Sequence, residues 1–496
     1  MAVRIGISLH VLARPRRNSV TVAPHLKKAI ARPYRRSVLT LFTGRSYDPP
    51  DFQWFGGNMD GSTRRATHGW NRGLLLTLLV AFALRLGLAF VVEQRVAAIP
   101  GSVCLIPGDA DGYWELAQKI VAGKDYSIYS PPRYALRMPG FPVLLAVSQR
   151  LFGESTLAAR CLLACIGTVA CGLTYWLGRE LCDHSTGLLA ATYTALSPTL
   201  VLFSVLLLSE TAFAATLLAS LIAISRMARR TEGVSSARWF DGVSLIAGVL
   251  IGVATYMRPT WLYVGPMIAV VALWSRRGER STKSILTSIC WLVVGVVVSL
   301  SPWVGRNYFV AGHLVPTTLW VGPSLYDGLH PGATGDSDMD FFEQDQLMAT
   351  MSEYEMDREY RRRATAFAWE NPVRTMWLAV EKQRRYWSLV PNAAQFRRDV
   401  KLLAIVLLTT LVLFIFAVRG AWQARRDVSL LALTAGSIVL FAGLHLLFVG
   451  SLRYRLPAEY PLAVLAALGI RPLLMRFGWL LRPDHTNPKR ERGTVA

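Results

Sequence analysis

The chain has 496 residues, 52% hydrophobic content and a formal net charge of +22. Apolar runs of roughly 15 to 22 residues recur along it, which excludes a soluble fold and predicts an all-α polytopic membrane protein. The basic residues lie mostly in the tails and in short loops between apolar runs, where they orient helices, so no nucleic acid is expected as a partner.

The N-terminal region is basic. Residues 1–47 contain ten Lys or Arg and no Asp or Glu. Such a composition resists packing into a core and predicts a disordered cytoplasmic tail over residues 1–73. A targeting segment or an over-extended start codon are the alternatives, and no apolar region of signal-peptide type occurs before Leu74.

The first predicted span is Leu74–Val92, and the arginines before it hold its start in the cytoplasm. The chain then enters a first outer loop, residues 93–156. There the stretch PGDADGY, residues 107–113, precedes a short helix predicted from about Asp111 to Ala122. Ala117, Ile120 and Val121 give that helix an apolar side, so we expect it to lie in the membrane interface.

A second piece of this loop, RMPGFPVLLAVSQRLFG from Arg137, is too short to span a membrane. Pro139 and Pro142 interrupt it, which predicts an interfacial or re-entrant helix.

Nine further apolar runs complete a prediction of about ten transmembrane helices with both termini cytoplasmic. Loops on one side contain the basic sequences RMARR, SRRGERSTK and RGAWQARR, as the positive-inside rule requires. These runs are residues 157–178, 187–206, 211–225, 243–256, 260–274, 285–303, 401–418, 429–449 and 456–474. The predicted regions are thus a transmembrane core over 74–305, an extracytoplasmic segment over 306–399, C-terminal helices over 400–475 and a cytoplasmic tail over 476–496.

This topology places several ionisable residues at the outer face, where such groups are costly and tend to mark function. They are Asp109, Asp111, Glu210, Arg258, Arg306, Arg453 and Arg455. Glu210 is alternatively an acid stabilised by a helix N-terminus, and each arginine is alternatively an interfacial anchor. Arg453 and Arg455 oppose the usual charge bias of an outer loop, which favours a functional role for them.

The residue types suit transfer of a group from a lipid phosphate. A loop carboxylate at the membrane surface, followed by Tyr113 and Trp114, can act as a general base for an acceptor hydroxyl. Arginines on the same face can hold a phosphate through bidentate contacts and stabilise its growing charge. An Asp among cations has a low pKa, so it would act late, as the attacking oxygen gains charge.

Several motifs resemble those of the C-type (GT-C) integral-membrane glycosyltransferases, in the branch of the dolichyl-phosphate-mannose protein mannosyltransferases and the aminoarabinose transferases of lipid A. The resemblance covers about residues 74–475. The motifs are GDADGYWELA, RMPGFPVLLA, LLLSETAF, YMRPTWLYVGP, SPWVGRNYFVAGHLVP and RYRLPAEYPL. It implies a polyprenyl-phosphate-linked sugar as donor, a lipid, glycan or protein hydroxyl as acceptor, attack at the outer face of the inner membrane, and inversion at the anomeric carbon.

The resemblance also implies roles for individual residues. The D-x-x-x-Y pattern of the catalytic Asp matches Asp109 with Tyr113, and Asp111, two residues on, competes for the same role. Glu210 matches an acid at the outer end of the fourth span and is expected in the catalytic set, where it would orient the acceptor or an arginine. Basic positions near the donor phosphate match Arg258, Arg306 and either Arg453 or Arg455. The expected substrate-contacting residues are Tyr113, Arg137, His330 and Tyr454, and a surface histidine without a functional role is the alternative for His330.

No cofactor is expected. A divalent metal stays an open alternative, because Asp109 and Asp111 could serve as ligands instead of as a base. The segment DSDMD lacks the Gly and Glu of a calcium loop, which favours a solvated loop. In the same outer segment, SEYEMDREYRRRATAFAWE predicts a helix ending before Pro372.

Two other functions remain alternatives. A transporter or flippase of a lipid-linked saccharide would need ionisable residues at mid-membrane and broken helices in paired halves, whereas the charges cluster at one face. A catalytically inactive membrane scaffold is disfavoured by the presence of both Asp109 and Arg455.

Overall fold

The computed structural model describes residues 61–98, 108–230, 240–391 and 400–477, with the side chains described from Arg72 onward. Within these ranges the fold is all-helical, as predicted, with one isolated β-bridge between Ile128 and Arg133. The predicted tails lie outside the described residues, except for 61–73 and 476–477. The contacts discussed below belong to one compact unit that begins at Thr67, and a second unit, Met1–Ala66, lies almost wholly outside the described residues.

Nineteen α-helices and one 3-10 turn occur in the described ranges. In chain order they are α1 (Gly61–Ala97), α2 (Asp109–Val121), α3 (Gly140–Phe152), α4 (Thr156–Leu181), α5 (His184–Leu196), α6 (Pro198–Phe203), α7 (Glu210–Arg229), α8 (Gly242–Met257), α9 (Trp261–Trp274), α10 (Thr282–Ala311), α11 (Val321–Gly328), α12 (Asp340–Gln344), α13 (Leu347–Thr350), α14 (Glu353–Glu370), α15 (Pro372–Tyr386), α16 (Val400–Gln423), α17 (Val428–Thr434), α18 (Gly436–Leu444), the 3-10 turn Leu452–Arg455, and α19 (Leu456–Arg476).

Six helical segments of the described chain are long and apolar enough to cross a membrane, so the chain is an integral membrane protein. They are Arg72–Ala97, Thr156–Leu181, Glu210–Arg229, Thr282–Ala311, Val400–Gln423 and Leu452–Arg476.

The predicted count of ten spans is not confirmed, because the other four predicted runs form shorter helices. Residues 187–206 divide at Ser197 into α5 and α6, since Pro198 lacks the N–H that would continue α5 and instead begins the next helix. Residues 429–449 divide into α17 and α18. The helices α8 and α9 are continuous but have 16 and 14 residues.

A buried arginine compensates for the break after α5. Arg85 lies in the middle of α1 with no solvent exposure and donates hydrogen bonds to the carbonyls of Thr194, at 2.9 Å, and Ala195, at 3.3 Å. Backbone groups at membrane depth must be satisfied inside the protein. Arg85 therefore acts as a side-chain cap for the C-terminal end of α5.

Reciprocal glycines let α16 and α19 approach closely. A Cβ at Gly420 would overlap the carbonyl oxygen of Leu465, and a Cβ at Gly469 would overlap that of Phe416. Small residues of this kind allow membrane helices to pack backbone against backbone. This contact fixes the helix that follows the 3-10 turn.

In the first outer loop, α2 begins at Asp109, two residues before the predicted start. Of its apolar side, Ala117 is fully buried, in a cluster with Trp114, Leu145 and Ala159, whereas Val121 is 40% exposed. The helices α3 and α4 thus cover part of that side, and the position of α2 in the membrane interface stays a prediction.

The helix α3 follows Pro139 directly and continues through Pro142 to Phe152. Pro142 lies in the first turn, where its missing N–H breaks no helical hydrogen bond. Only Pro139 therefore marks a boundary.

The outer segment after α10 packs against the first outer loop. Leu116, Ile128 and Leu136 of the loop share an apolar cluster with Met356 and Tyr360 of α14. As predicted, α14 ends before Pro372. Its start carries a capping box between Ser352 and Glu355.

Candidate active site

Three helix ends come together at one end of the transmembrane bundle. The helix α7 begins at Glu210, α8 is followed by Arg258, and the turn before α19 contains Arg453. These helices pack on one another: α7 contacts both α8 and α19. Because α7 begins where α8 ends, the two run antiparallel and place Glu210 beside Arg258.

Asp109, at the start of α2, joins this group. Its Oδ1 accepts a hydrogen bond from Arg137 Nη1 at 2.7 Å, and its Oδ2 accepts one from Arg453 Nη1 at 2.9 Å. Arg453 also donates through Nε to Glu210 Oε1, which accepts a further bond of 2.7 Å from Arg258 Nη2. We call these five residues, Arg137, Asp109, Arg453, Glu210 and Arg258, the arginine–carboxylate cluster.

The two carboxylates of the cluster differ in access. The Glu210 side chain is 2% exposed, whereas that of Asp109 is 39% exposed. A reactant arriving from outside can therefore reach Asp109, while Glu210 lies behind the arginines.

The charges of the cluster do not cancel. Three guanidinium groups face two carboxylates, which leaves one net positive charge. Burial alone would raise the pKa of Asp109, but the nearby Arg137 and Arg453 outweigh it and hold that pKa well below its usual value. Asp109 is therefore a carboxylate at neutral pH, and the same pairing raises the pKa of Arg137.

Neighbouring residues of the same loop position Arg137. The Tyr126 hydroxyl lies 3.2 Å from the carbonyl oxygens of both Arg137 and Met138 and donates to them. Gly112 leaves room for the side chain, since a Cβ there would lie 3.2 Å from Arg137 Nε. The guanidinium carbon stands 4.9 Å from the ring centre of Tyr113.

Asp111 lies outside the cluster. It is exposed, and its Oδ2 accepts a 2.9 Å hydrogen bond from the Gly108 N–H, which caps α2. The structure thus separates the two competing carboxylates: Asp109 contacts arginines and Asp111 contacts its own helix start.

Two other arginines of the predicted set also lie elsewhere. Arg306 donates to the carbonyls of Tyr134, at 2.6 Å, and Tyr126, at 3.0 Å, and so holds the loop that carries Arg137. Arg455 is fully buried and pairs with Glu459 at 2.7 Å. Both contact backbone or structural partners and not the cluster.

The contacts of His330 lie outside the cluster. It packs against the rings of Tyr326 and Phe341, and its Nδ1 accepts the Gly332 N–H at 3.3 Å. Burial lowers its pKa. In the structure it belongs to the aromatic core of the outer segment.

Aromatic rings pack against the Arg258 guanidinium group. The Tyr454 ring lies 5.5 Å from the Arg258 guanidinium carbon, and the His445 ring stacks on Tyr454 at 4.5 Å. The Phe213 ring centre lies 5.9 Å from the same carbon.

Sequence reasoning did not identify His445 or Phe213. A titratable residue in the apolar run 429–449, and an aromatic residue one helical turn after Glu210, are the signals that could have indicated them.

Among the described residues, no group of three or more His, Cys, Asp or Glu side chains could hold a metal ion.

The fold and the cluster together define a polytopic α-helical membrane protein that presents one accessible carboxylate between arginines at the ends of its helices. Residues 135–304 match the model of the dolichyl-phosphate-mannose-protein mannosyltransferase family, which confirms the predicted resemblance over those residues. The matched segment includes Arg137, Glu210 and Arg258, whereas Asp109 and Arg453 lie outside it. No curated protein sequence matches the chain.

Solved structures show partial similarity. The oligosaccharyltransferase AglB from Archaeoglobus fulgidus, in complex with an inhibitory peptide and a dolichol-phosphate, is 13% identical, with a TM-score of 0.47 over 84% of this chain and 51% of that one. ArnT from Cupriavidus metallidurans, bound to undecaprenyl phosphate, is 13% identical, with a TM-score of 0.33 over 86% of this chain and 82% of that one. This chain therefore spans about half the length of the archaeal oligosaccharyltransferase.

Proposed function

We propose that the protein is a membrane glycosyltransferase that moves a sugar from a polyprenyl-phosphate donor to an acceptor hydroxyl at the outer face of the membrane, with inversion and with Asp109 as general base. The observation that carries this proposal is the position of Asp109 between Arg137 and Arg453. The family match over residues 135–304 supports the same class of reaction.

The charge of the cluster suits the proposed donor. A polyprenyl-phosphate sugar is a phosphodiester with one negative charge, and the cluster has one net positive charge. Transfer breaks the bond between the anomeric carbon and the phosphate oxygen, so the departing polyprenyl phosphate gains a second negative charge. Preorganised guanidinium groups stabilise such growing charge more strongly in the product-like transition state than in the substrate.

The proton balance assigns the role of Asp109. The acceptor hydroxyl forms a bond to the anomeric carbon from the side opposite the phosphate, which inverts the configuration, and its proton passes to a carboxylate oxygen of Asp109. Because the arginines hold the pKa of Asp109 low, the transfer occurs late, when the attacking oxygen has become acidic. As the phosphate draws Arg453 toward itself, Asp109 loses one of its two cationic partners and becomes more basic.

Turnover of radiolabelled polyprenyl-phosphate sugars in purified membranes tests this proposal. A panel of donors and hydroxyl acceptors is compared for wild type, Asp109→Asn and Asp111→Asn. Loss of a general base reduces turnover by about 10²–10⁴-fold, and we expect that loss for Asp109→Asn with donor binding retained. Asp111→Asn is the matched control, because an Asn oxygen still caps α2.

Two results would overturn the proposal. Loss of turnover in Asp111→Asn alone would move the base to Asp111. Movement of labelled lipid across the bilayer by wild type, with no transfer to any acceptor, would indicate a flippase.

A further inference from the structure

The segment 369–380 exposes an apolar stripe on the outer part of the molecule. Its members are Trp369 (86% exposed), Val373 (76%), Met376 (66%) and Val380 (69%). Trp369 lies in the last turn of α14, and the spacing of three and four residues places Val373, Met376 and Val380 on one side of α15. Trp377, half exposed, widens the stripe. A soluble surface rarely carries such a contiguous set of large apolar side chains.

The helix that carries most of this stripe, α15, does not cross the membrane. It has 15 residues, and its last two turns contain Glu381, Lys382, Arg384 and Arg385. It is therefore amphipathic and too short and too charged to span.

The C-terminal half of α15 is hydrogen-bonded along α18 and to the turn that follows it. Lys382 is fully buried and donates to the Leu447 carbonyl at 2.6 Å. Gln383 Nε2 donates to Ala442 O at 2.7 Å, and the Tyr386 hydroxyl donates to Ile438 O at 2.9 Å. This half of the helix therefore already has its partner within the protein.

Hydrogen bonds from Arg455 fix the position of α15 along the membrane normal. Arg455, in the segment Leu452–Arg476 that is long and apolar enough to span, donates to the carbonyls of Tyr386 and Ser388 at 2.6 and 2.7 Å. The C-terminal end of α15 thus lies where that span begins. Leu446 and Leu447, at the end of α18, are 42% and 49% exposed and extend the apolar surface from α15 toward the bundle.

We propose that α15 lies in the membrane–water interface on the side of the arginine–carboxylate cluster. Val373, Met376 and Val380 would then lie among the lipid chains and Trp377 at headgroup level. Amphipathic helices bind the interface in this way, and Trp is enriched there. Arg374, whose guanidinium carbon stands 4.4 Å from the Trp377 ring centre, is held by a 2.8 Å hydrogen bond from its Nη2 to the Ala333 carbonyl and keeps a cation beside that ring. This inference does not depend on the proposed enzymatic activity.

Spin labels on the full-length protein test the proposal. In a variant without the six native cysteines, Met376→Cys and Val380→Cys are labelled in nanodiscs of phosphatidylcholine and phosphatidylglycerol. Collisions with oxygen, which enters lipid, are compared with collisions with a water-soluble nickel chelate. The control is Arg362→Cys on α14, whose side chain is 68% exposed. We expect the ratio of oxygen to nickel collisions to be several-fold higher at 376 and 380 than at 362.

Nickel collisions at 376 and 380 equal to those at 362 would place the stripe in water and overturn the proposal. Low collision rates with both reagents would indicate a protein partner or a second copy of the chain, and would overturn it equally. If the variant without cysteines does not fold, a photoreactive benzoyl-phenylalanine at Val380 in the otherwise native chain replaces the labels. A phospholipid adduct then supports the proposal, and an adduct to protein contradicts it.

Discussion

The ionisation of Asp109 depends on guanidinium groups that reach it from two distant parts of the chain. Arg137 comes from the first outer loop and Arg453 from the turn before the last helix. Since both pairs favour the carboxylate, their contribution to stability is present above the ordinary carboxyl pKa and is lost as the pH falls through the lowered pKa. The same shift sets the pH range in which the proposed base is available.

Replacing Arg137 is expected to move the acid limb of the pH–rate profile upward. Arg137→Gln removes one of the two charges that lower the pKa of Asp109, so the base is protonated at higher pH and kcat/KM begins to fall at higher pH than in wild type. The measurement is kcat/KM for sugar transfer from pH 8 down to the lowest pH at which the protein stays folded. Arg137→Lys keeps the charge and serves as control. An acid limb at the same pH in all three proteins would show that Asp109 does not titrate in the reaction.

Glu210 is expected to act by positioning Arg453 and Arg258 without contacting the reacting atoms. Glu210→Gln keeps the shape but removes the buried anion that both guanidinium groups share. Loss of one aligned donor to a developing oxyanion reduces kcat by about 10²–10³-fold, whereas the added net positive charge does not raise KM for the anionic donor. Steady-state kinetics with varied donor separate the two constants.

The control for this change is Glu180→Gln, which breaks the ion pair between Glu180 and Arg226. That pair lies at the C-terminal ends of α4 and α7, whereas Glu210 begins α7. It is expected to leave kcat and KM as in wild type. A Glu210→Gln enzyme with unchanged kcat and a raised donor KM would contradict the positioning role and indicate a direct contact with substrate.

Residue types and helix ends were enough to identify part of the cluster from the sequence. Asp109, Glu210 and Arg258 each lie at a predicted boundary, and the structure brings them together with Arg453. Arg306 and Arg455 lie at boundaries too, but they bind carbonyls of Tyr134 and Tyr386. Which partner a boundary arginine meets depends on loop paths through space, which composition and spacing do not encode. The pairing of Arg455 with Glu459 was not predicted, although their spacing of four residues on a helix favours such a pair.

At the scale of elements, hydropathy predicted the long helices and failed at the divided ones. The break after α5 had a sequence signal in Ser197–Pro198. The break between α17 and α18, at Ala435, has no proline, and Gly436 directly after it is a weaker signal. Arg85 is a related case, because an arginine within an apolar run gives no indication that it caps another helix.

The close contact of α16 and α19 predicts strong sensitivity to side-chain size. A Cβ at Gly420 would overlap the Leu465 carbonyl, so Gly420→Val must separate the two helices. Overpacking of this kind costs about 1–3 kcal/mol, and we expect a lower melting temperature in nanodiscs, measured by Trp fluorescence. Gly87→Ala on α1, where a Cβ meets nothing within 4 Å, is the control. Equal melting temperatures for the two variants would show that α16 and α19 do not pack so closely.

For the whole molecule, the structure and the charge pattern of the sequence distinguish the same two ends of the helix bundle: one holds the arginine–carboxylate cluster and the other holds the basic loops. Glu210 begins α7, and the basic sequence RMARR closes it. Arg258 follows α8, and the basic loop after α9 leads into α10. If the basic ends are cytoplasmic, the arginine–carboxylate cluster faces outward. The sequence could predict this arrangement because charge bias acts on each loop independently of side-chain packing.

Labelling from one side of the membrane tests this orientation directly. In a variant without native cysteines, Gly278→Cys lies in the exposed basic loop before α10, and Glu343→Cys lies on an exposed position of the outer segment after it. The two sites are separated by α10, whose 30 residues are enough for one crossing. In intact spheroplasts, an impermeant maleimide is expected to label Glu343→Cys at once and Gly278→Cys only after permeabilisation. The reverse pattern would place the cluster on the cytoplasmic face and require a donor sugar presented there, and labelling of both sites from outside would mean that α10 does not cross.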